Sequence, residues 1–146
     1  MADPFSIAGS AVGVTSLGLT VCQGLIRYYT AYSAYDDDIA ETVELIRRLE
    51  GLFVLLRDVL QGLPPGQALL VVQVQSCMQS SKDRIKDLNT HLDKCRATSP
   101  PGGSGKLQQS LRRGLFPFRK PVLNALRDNV ESLHSNLMLA VEILQL

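Results

Sequence analysis

Apolar positions recur in steps of three and four along most of this chain, and no segment alternates with the period of two that a half-buried strand requires. The pattern predicts four long helices joined by short connections. The first, over residues 5–34, opens near Asp3 or Ser6, with Pro4 in the first turn where a missing N–H costs nothing. Its seam is Ile7, Ala11, Val14, Gly18, Val21, Leu25, Tyr28 and Tyr32. The second, over 36–62, starts at Asp36, Asp37 and Asp38, whose charge complements the amino-terminal end of a helix dipole. Its core face is Ile39, Val43, Ile46, Leu49, Phe53, Leu56 and Leu60, and Gly62 with Pro64, Pro65 and Gly66 ends it. The third, over 66–96, carries Val71, Val74, Met78, Ser81, Ile85, Leu88, Leu92 and Cys95. A flexible loop is expected at 97–106 and a short amphipathic segment at 107–118. The last helix, over 120–146, carries Leu123, Leu126, Val130, Leu133, Leu137, Ala140 and Leu144. One all-α domain spanning 1–146 follows, a four-helix bundle with a short extra helix before the last long one.

Composition agrees with an aliphatic helical core: 45% of the 146 residues are hydrophobic, whereas aromatics make up 5% and Trp is absent. The formal net charge is +1, which excludes the basic footprint of a whole-domain nucleic-acid binder. Cys22, Cys77 and Cys95 are odd in number and contain no C-x-x-C pair, so they read as reduced, buried thiols rather than disulfide or zinc ligands. The string PPGGSGKL only superficially resembles a phosphate-binding loop: Pro100 stands where the first glycine belongs and Leu107 where Ser or Thr belongs. His91 and His134 lack metal-ligand spacing, and no nucleophile, histidine and carboxylate set is gathered by the helical register. The expectation is a non-enzyme without cofactor or metal.

Charge placement is less uniform than its sum. No charge falls between Asp3 and Arg27, an interval of 23 residues long enough to cross a bilayer, although Ser, Thr, Gln and Gly dilute its apolar character. Asp3 stands where a secretory signal would carry positive charge. On this first helix Gly9, Gly13, Ser16, Thr20 and Gly24 form a stripe of small residues away from the seam, and Phe5, Val12, Leu19 and Ile26 fill part of the remaining circumference. Such a helix suits either the centre of a bundle or lipid. Residues 36–63 hold seven acids against three bases, whereas Asp93 to Asp128 encloses a stretch with no acid and eight basic residues. Within that stretch Arg112, Arg113, Phe116, Phe118, Arg119 and Lys120 are candidate contacts to anionic lipid headgroups. The competing account has Leu115, Phe116 and Phe118 plugging the end of the bundle.

The opening MADPFSIAGSAVGVTSLGLTVCQGLIRYY, and the later LRRGLFPFRKPVLNALRDNVESLHSNLMLAV, resemble the amino-terminal domains of fungal STAND proteins, NOD-like receptors with NACHT and repeat modules, related to the HeLo-like group. The resemblance implies a HeLo-like helical bundle that acts in fungal heterokaryon incompatibility and immune cell death. Oligomerisation would release the first helix into the plasma membrane, so the partners would be other copies of the chain and anionic lipids. Mapped onto this sequence, the membrane-insertion and self-assembly residues are Phe5, Gly9, Val12, Gly13, Ser16, Leu19, Thr20 and Gly24. Control would come from a carboxy-terminal NACHT and repeat module in cis or a receptor in trans, and the protein would be cytoplasmic and conditionally at the plasma membrane. With Leu146 as its last residue, the chain is expected to be an excised domain or a stand-alone relative. A soluble homotypic adaptor is the alternative function.

Overall fold

The computed structural model describes residues 11–63, 66, 68–98, 100 and 105–145. These form helices α1 (Ala11–Thr30), α2 (Asp37–Gln61), α3 (Ala68–Arg96), α4 (Lys106–Arg113) and α5 (Lys120–Gln145), with a single 3-10 turn, Phe116–Phe118, between the last two. No strand occurs among the described residues, so the chain is all-α. Each long helix packs on two others: α1 on α2 and α3, and α5 on α2 and α3.

The three-and-four spacing becomes the core directly. Ile39, Val43, Ile46, Leu49, Phe53, Leu56 and Leu60 of α2 are all buried, as are Val74, Met78, Ile85, Leu88, Leu92 and Cys95 of α3. On α5, Leu123, Leu126, Val130, Leu133, Leu137 and Ala140 are buried, with Val141 beside them. Each large aliphatic side chain removed from water contributes about 1.5–3 kcal/mol, which offsets the ordering of helices that would be marginal alone. The buried face of α1 is wider than its seam, since Thr15, Leu19, Cys22, Gly24 and Tyr29 join Ala11, Val14, Gly18, Val21 and Leu25. Gly18 is required by close approach: a methyl group there would overlap the ring of Phe53 on α2.

Several boundaries differ from the periodicity, and α3 begins at Ala68 rather than at residue 66. Helix α1 stops at Thr30 rather than at residue 34, because Tyr32, Ser33 and Tyr35 donate to carbonyls three residues back, tightening the chain into turns. Those turns deliver Asp36 as the amino-terminal cap of α2, its carboxylate accepting from the Asp38 N–H at 2.9 Å. The expected segment at 107–118 divides into a helix and a 3-10 turn. Gly105, with φ of 131°, precedes α4 in a conformation that L side chains rarely adopt.

Candidate membrane-contact and assembly surfaces

Chain topology brings the carboxy-terminal ends of α1 and α3 together with the amino-terminal ends of α2 and α5. The 3-10 turn packs on α3, α4 and α5, and its rings reach α1. Phe118 is buried at 1% exposure, edge-on to Tyr32 at 5.0 Å and stacked on Tyr28 at 6.1 Å. Phe116 lies 5.4 Å from the His91 ring, and the Lys94 ammonium sits over its face at 5.1 Å. The aromatic plug is therefore the arrangement in this fold.

Tyr29 is the polar centre of the plug. Its hydroxyl donates to the Pro117 carbonyl at 2.8 Å and accepts a weak bond from the Cys95 thiol at 3.6 Å. With its one proton committed, it accepts from His91 Nε2 at 2.8 Å, which fixes the histidine tautomer with Nε2 protonated. Burial, and secondarily Lys94, lowers the His91 pKa to about 4, so the ring is neutral near pH 7. Burial also raises the Tyr29 pKa and pushes the Cys95 thiol up to about 11, so both keep their protons. This is a hydrogen-bonded strut rather than a reactive group.

A second set of contacts joins the basic segment to the acidic start of α2. Arg113 pairs with Asp36 at 2.9 Å and with Asp38 at 3.7 Å. Arg127 of α5 donates to Thr42 Oγ1 at 2.9 Å and to the Asp38 carbonyl, and lies 3.6 Å from the carboxylates of Asp38 and Glu41. Arg112 is buried at 2% exposure, its guanidinium over the rings of Tyr32 and Tyr35 at 5.7 and 5.3 Å.

These contacts leave only part of the sequence-predicted lipid surface exposed in the folded state. Arg112 and Phe118 do not reach the surface in this folded state, because rings of α1 and of the turn after it enclose them. Arg113 is partly exposed but its charge is directed to the α2 cap, and Phe116 is half-buried. Arg119 and Lys120 remain exposed.

On α1 the small-residue stripe divides. Ser16 and Thr20 are exposed, Val12 is 37% exposed, and Gly13 is half-buried. Leu19 and Gly24 face inward, and a methyl group at Gly24 would crowd Leu92 of α3. Gly24 is therefore packed inside the fold in this state and is not part of an outward face. Phe5 and Gly9 lie outside the described residues, as does the start of the uncharged interval. No described helix is long and apolar enough to cross a membrane.

Periodicity could not show the Tyr29 strut, since Tyr29 is off the seam that contains Tyr28. The available signal was His91 one turn before Cys95 on an otherwise apolar stripe. Among the described residues, no group of three His, Cys, Asp or Glu is placed to hold a metal ion. An open surface groove of about 440 Å³ between α3 and α5 is lined by Arg84, Asp87, His91, Asp128 and Ser132 among others.

No protein-family model matches the chain, and no solved structure matches it. Over 126 residues, 85% of its length, the chain is 31% identical to azaphilone pigments biosynthesis cluster protein L of Monascus ruber. It spans 27% of the length of that curated relative.

Proposed function

We propose that this chain is a HeLo-like four-helix bundle, a non-enzymatic cell-death or immune signalling domain of a fungal NOD-like receptor or a relative of one. In this reading it self-associates on activation and targets anionic plasma-membrane lipid through α1. The observation that carries the reading is the outer face of α1. Between Ala11 and Ile26 the helix has no charge, and Val12, Ser16, Leu17 and Thr20 stay exposed. Small residues on such a face permit close helix packing in lipid, where apolar burial no longer drives association. The modular part of the proposal is supported by the Monascus ruber protein, in which the similar region is a minor share of a longer chain.

The test is leakage of anionic liposomes by the purified protein. Ser16→Glu with Thr20→Glu places two charges at exposed positions, so the fold should persist by circular dichroism while leakage is lost. Leakage that continues undiminished in this variant overturns the proposal.

A soluble homotypic adaptor is favoured by a different observation: Gly24 is already matched to Leu92 inside the fold, so one of the glycines assigned to insertion has a packing role without lipid. Concentration-dependent oligomers without vesicle binding at low salt would select the adaptor.

A further inference from the structure

Helix α4 is built inside out. In an amphipathic helix on a protein surface the apolar stripe faces the core and the polar stripe faces water. Here Arg112 is buried and Gln108 and Gln109 are half-buried, whereas Leu107 and Leu111, one turn apart, are 72% and 53% exposed. The inversion has a local cause. Arg112 is held by the Tyr32 and Tyr35 rings, and Arg113, next in sequence, by Asp36 and Asp38, and this orientation turns the leucines away from the other helices.

Along the sequence the charges around this leucine pair are of one sign, while in space the carboxylates of Asp36 and Asp38 lie on the Arg113 side of α4 and are answered there by Arg113. Lys106 adjoins Leu107, and Lys94, Arg96, Arg119 and Lys120 are exposed on the segments that flank α4. None of these five makes an ion pair among the described residues. Lys106 and Lys120 also begin α4 and α5, the ends where a helix dipole disfavours a cation, and neither first turn carries an acid to offset them. Two exposed leucines, with Lys106 beside them and Lys120 and Arg119 just beyond the helix in sequence, none of the three held by a carboxylate among the described residues, match a surface that offers anions above and hydrocarbon below.

We infer that Leu107 and Leu111 form an interfacial wedge that seats this end of the domain on an anionic lipid surface, with Lys106, Arg119 and Lys120 meeting the headgroups. The inference rests on the membrane reading above and deepens it, by replacing the buried Arg112 and Phe118 with a pair of leucines. It places first contact at α4 without requiring α1 to leave the bundle.

The chain has no Trp, so single substitutions Leu107→Trp, Leu111→Trp and, on α3 at 74% exposure, Leu69→Trp each report one position by indole emission. The probes are vesicles of phosphatidylcholine alone and of phosphatidylcholine with phosphatidylserine, added to the full chain. Emission at 107 and 111 should shift to the blue only with the anionic vesicles, while 69 stays unshifted. Arg119→Glu with Lys120→Glu should lower vesicle partitioning by about tenfold or more. A shift at 69 but not at 107 or 111 overturns the wedge while leaving lipid binding standing. Equal shifts with both vesicle types overturn the anionic part of the inference. A shift at 107 in buffer that grows with protein concentration assigns the leucines to a second copy of the chain instead. Absence of any vesicle binding overturns the wedge and the membrane reading together.

Discussion

The hydroxyl of Tyr29 donates a 2.8 Å hydrogen bond to the carbonyl of Pro117, tying the last turns of α1 to the 3-10 turn that precedes α5. The two residues are 88 positions apart in sequence, and Tyr29 is fully buried. Tyr29→Phe keeps the ring contacts but leaves the Pro117 carbonyl and His91 Nε2 without that partner. It should destabilise the fold by about 1–3 kcal/mol, the range for an orphaned buried polar group. Urea unfolding of the two proteins measures it, and equal midpoints would show that the strut carries no stability.

Protonation of His91 offers a second measurement. Its pKa is about 4 in the fold, below the ordinary value of 6.5, because burial and then Lys94 disfavour the charged ring. Between these values the unfolded chain binds the extra proton and the folded chain does not, so stability falls as pH drops from about 6.5 toward 4 and this contribution levels off below. The total loss should be on the order of 2 kcal/mol. Unfolding curves recorded from pH 7 to 4 should be flatter for His91→Gln, whose amide can still donate to Tyr29. Parallel curves would reject the assignment.

Glycine substitutions should separate close packing from mere helix propensity. Gly18→Ala drives a methyl group into the Phe53 ring and should cost about 1–3 kcal/mol. Gly51→Ala, on the exposed side of α2 with nothing within 4 Å, should instead stabilise by about 0.5–1 kcal/mol. Pairing Gly18→Ala with Phe53→Leu should recover part of the loss in a double-mutant cycle. Additive losses would mean the two residues do not share the strain.

At the start of α2, Asp36 acts both as a cap and as an ion-pair partner. Asp36→Ala should lower stability by about 1 kcal/mol or somewhat more. Asp36→Asn preserves the side-chain acceptor for the Asp38 N–H and removes the charge facing Arg113, so its loss should be smaller. Thermal unfolding at low and at high salt distinguishes the two contributions, because salt screens the pair with half-exposed Arg113 and leaves the cap. If Asn is as damaging as Ala, the ion pair rather than the cap dominates.

Fold class was legible because a helix repeats every 3.6 residues, so a line of Leu, Ile and Val three and four apart identifies its inner face before any partner is known. Most buried positions of α2 and α5 match that line, since those helices present one stripe to the core; Thr42, Leu52 and Val141 widen it, and Leu144 at the end of α5 is only partly buried. Helix α1 was less legible. Apolar or small nearly all round, it gave periodicity no contrast to separate the buried Leu19 and Gly24 from the exposed Ser16 and Thr20.

The sequence by itself determined the all-helical class, the inward stripes of α2, α3 and α5, the acidic start of α2 and the acid-free basic stretch after Asp93, because each depends on residues close together along the chain. Only tertiary structure decided which way α4 faces and which cations remain unpaired. Arg112 turns inward because Tyr32 and Tyr35 arrive from the end of α1, and Arg113 is drawn to Asp36, whose position depends on the preceding turns. These partners lie some 75 to 80 residues away in sequence, a separation at which local periodicity carries no information. Packing, not pattern, therefore turned Leu107 and Leu111 outward.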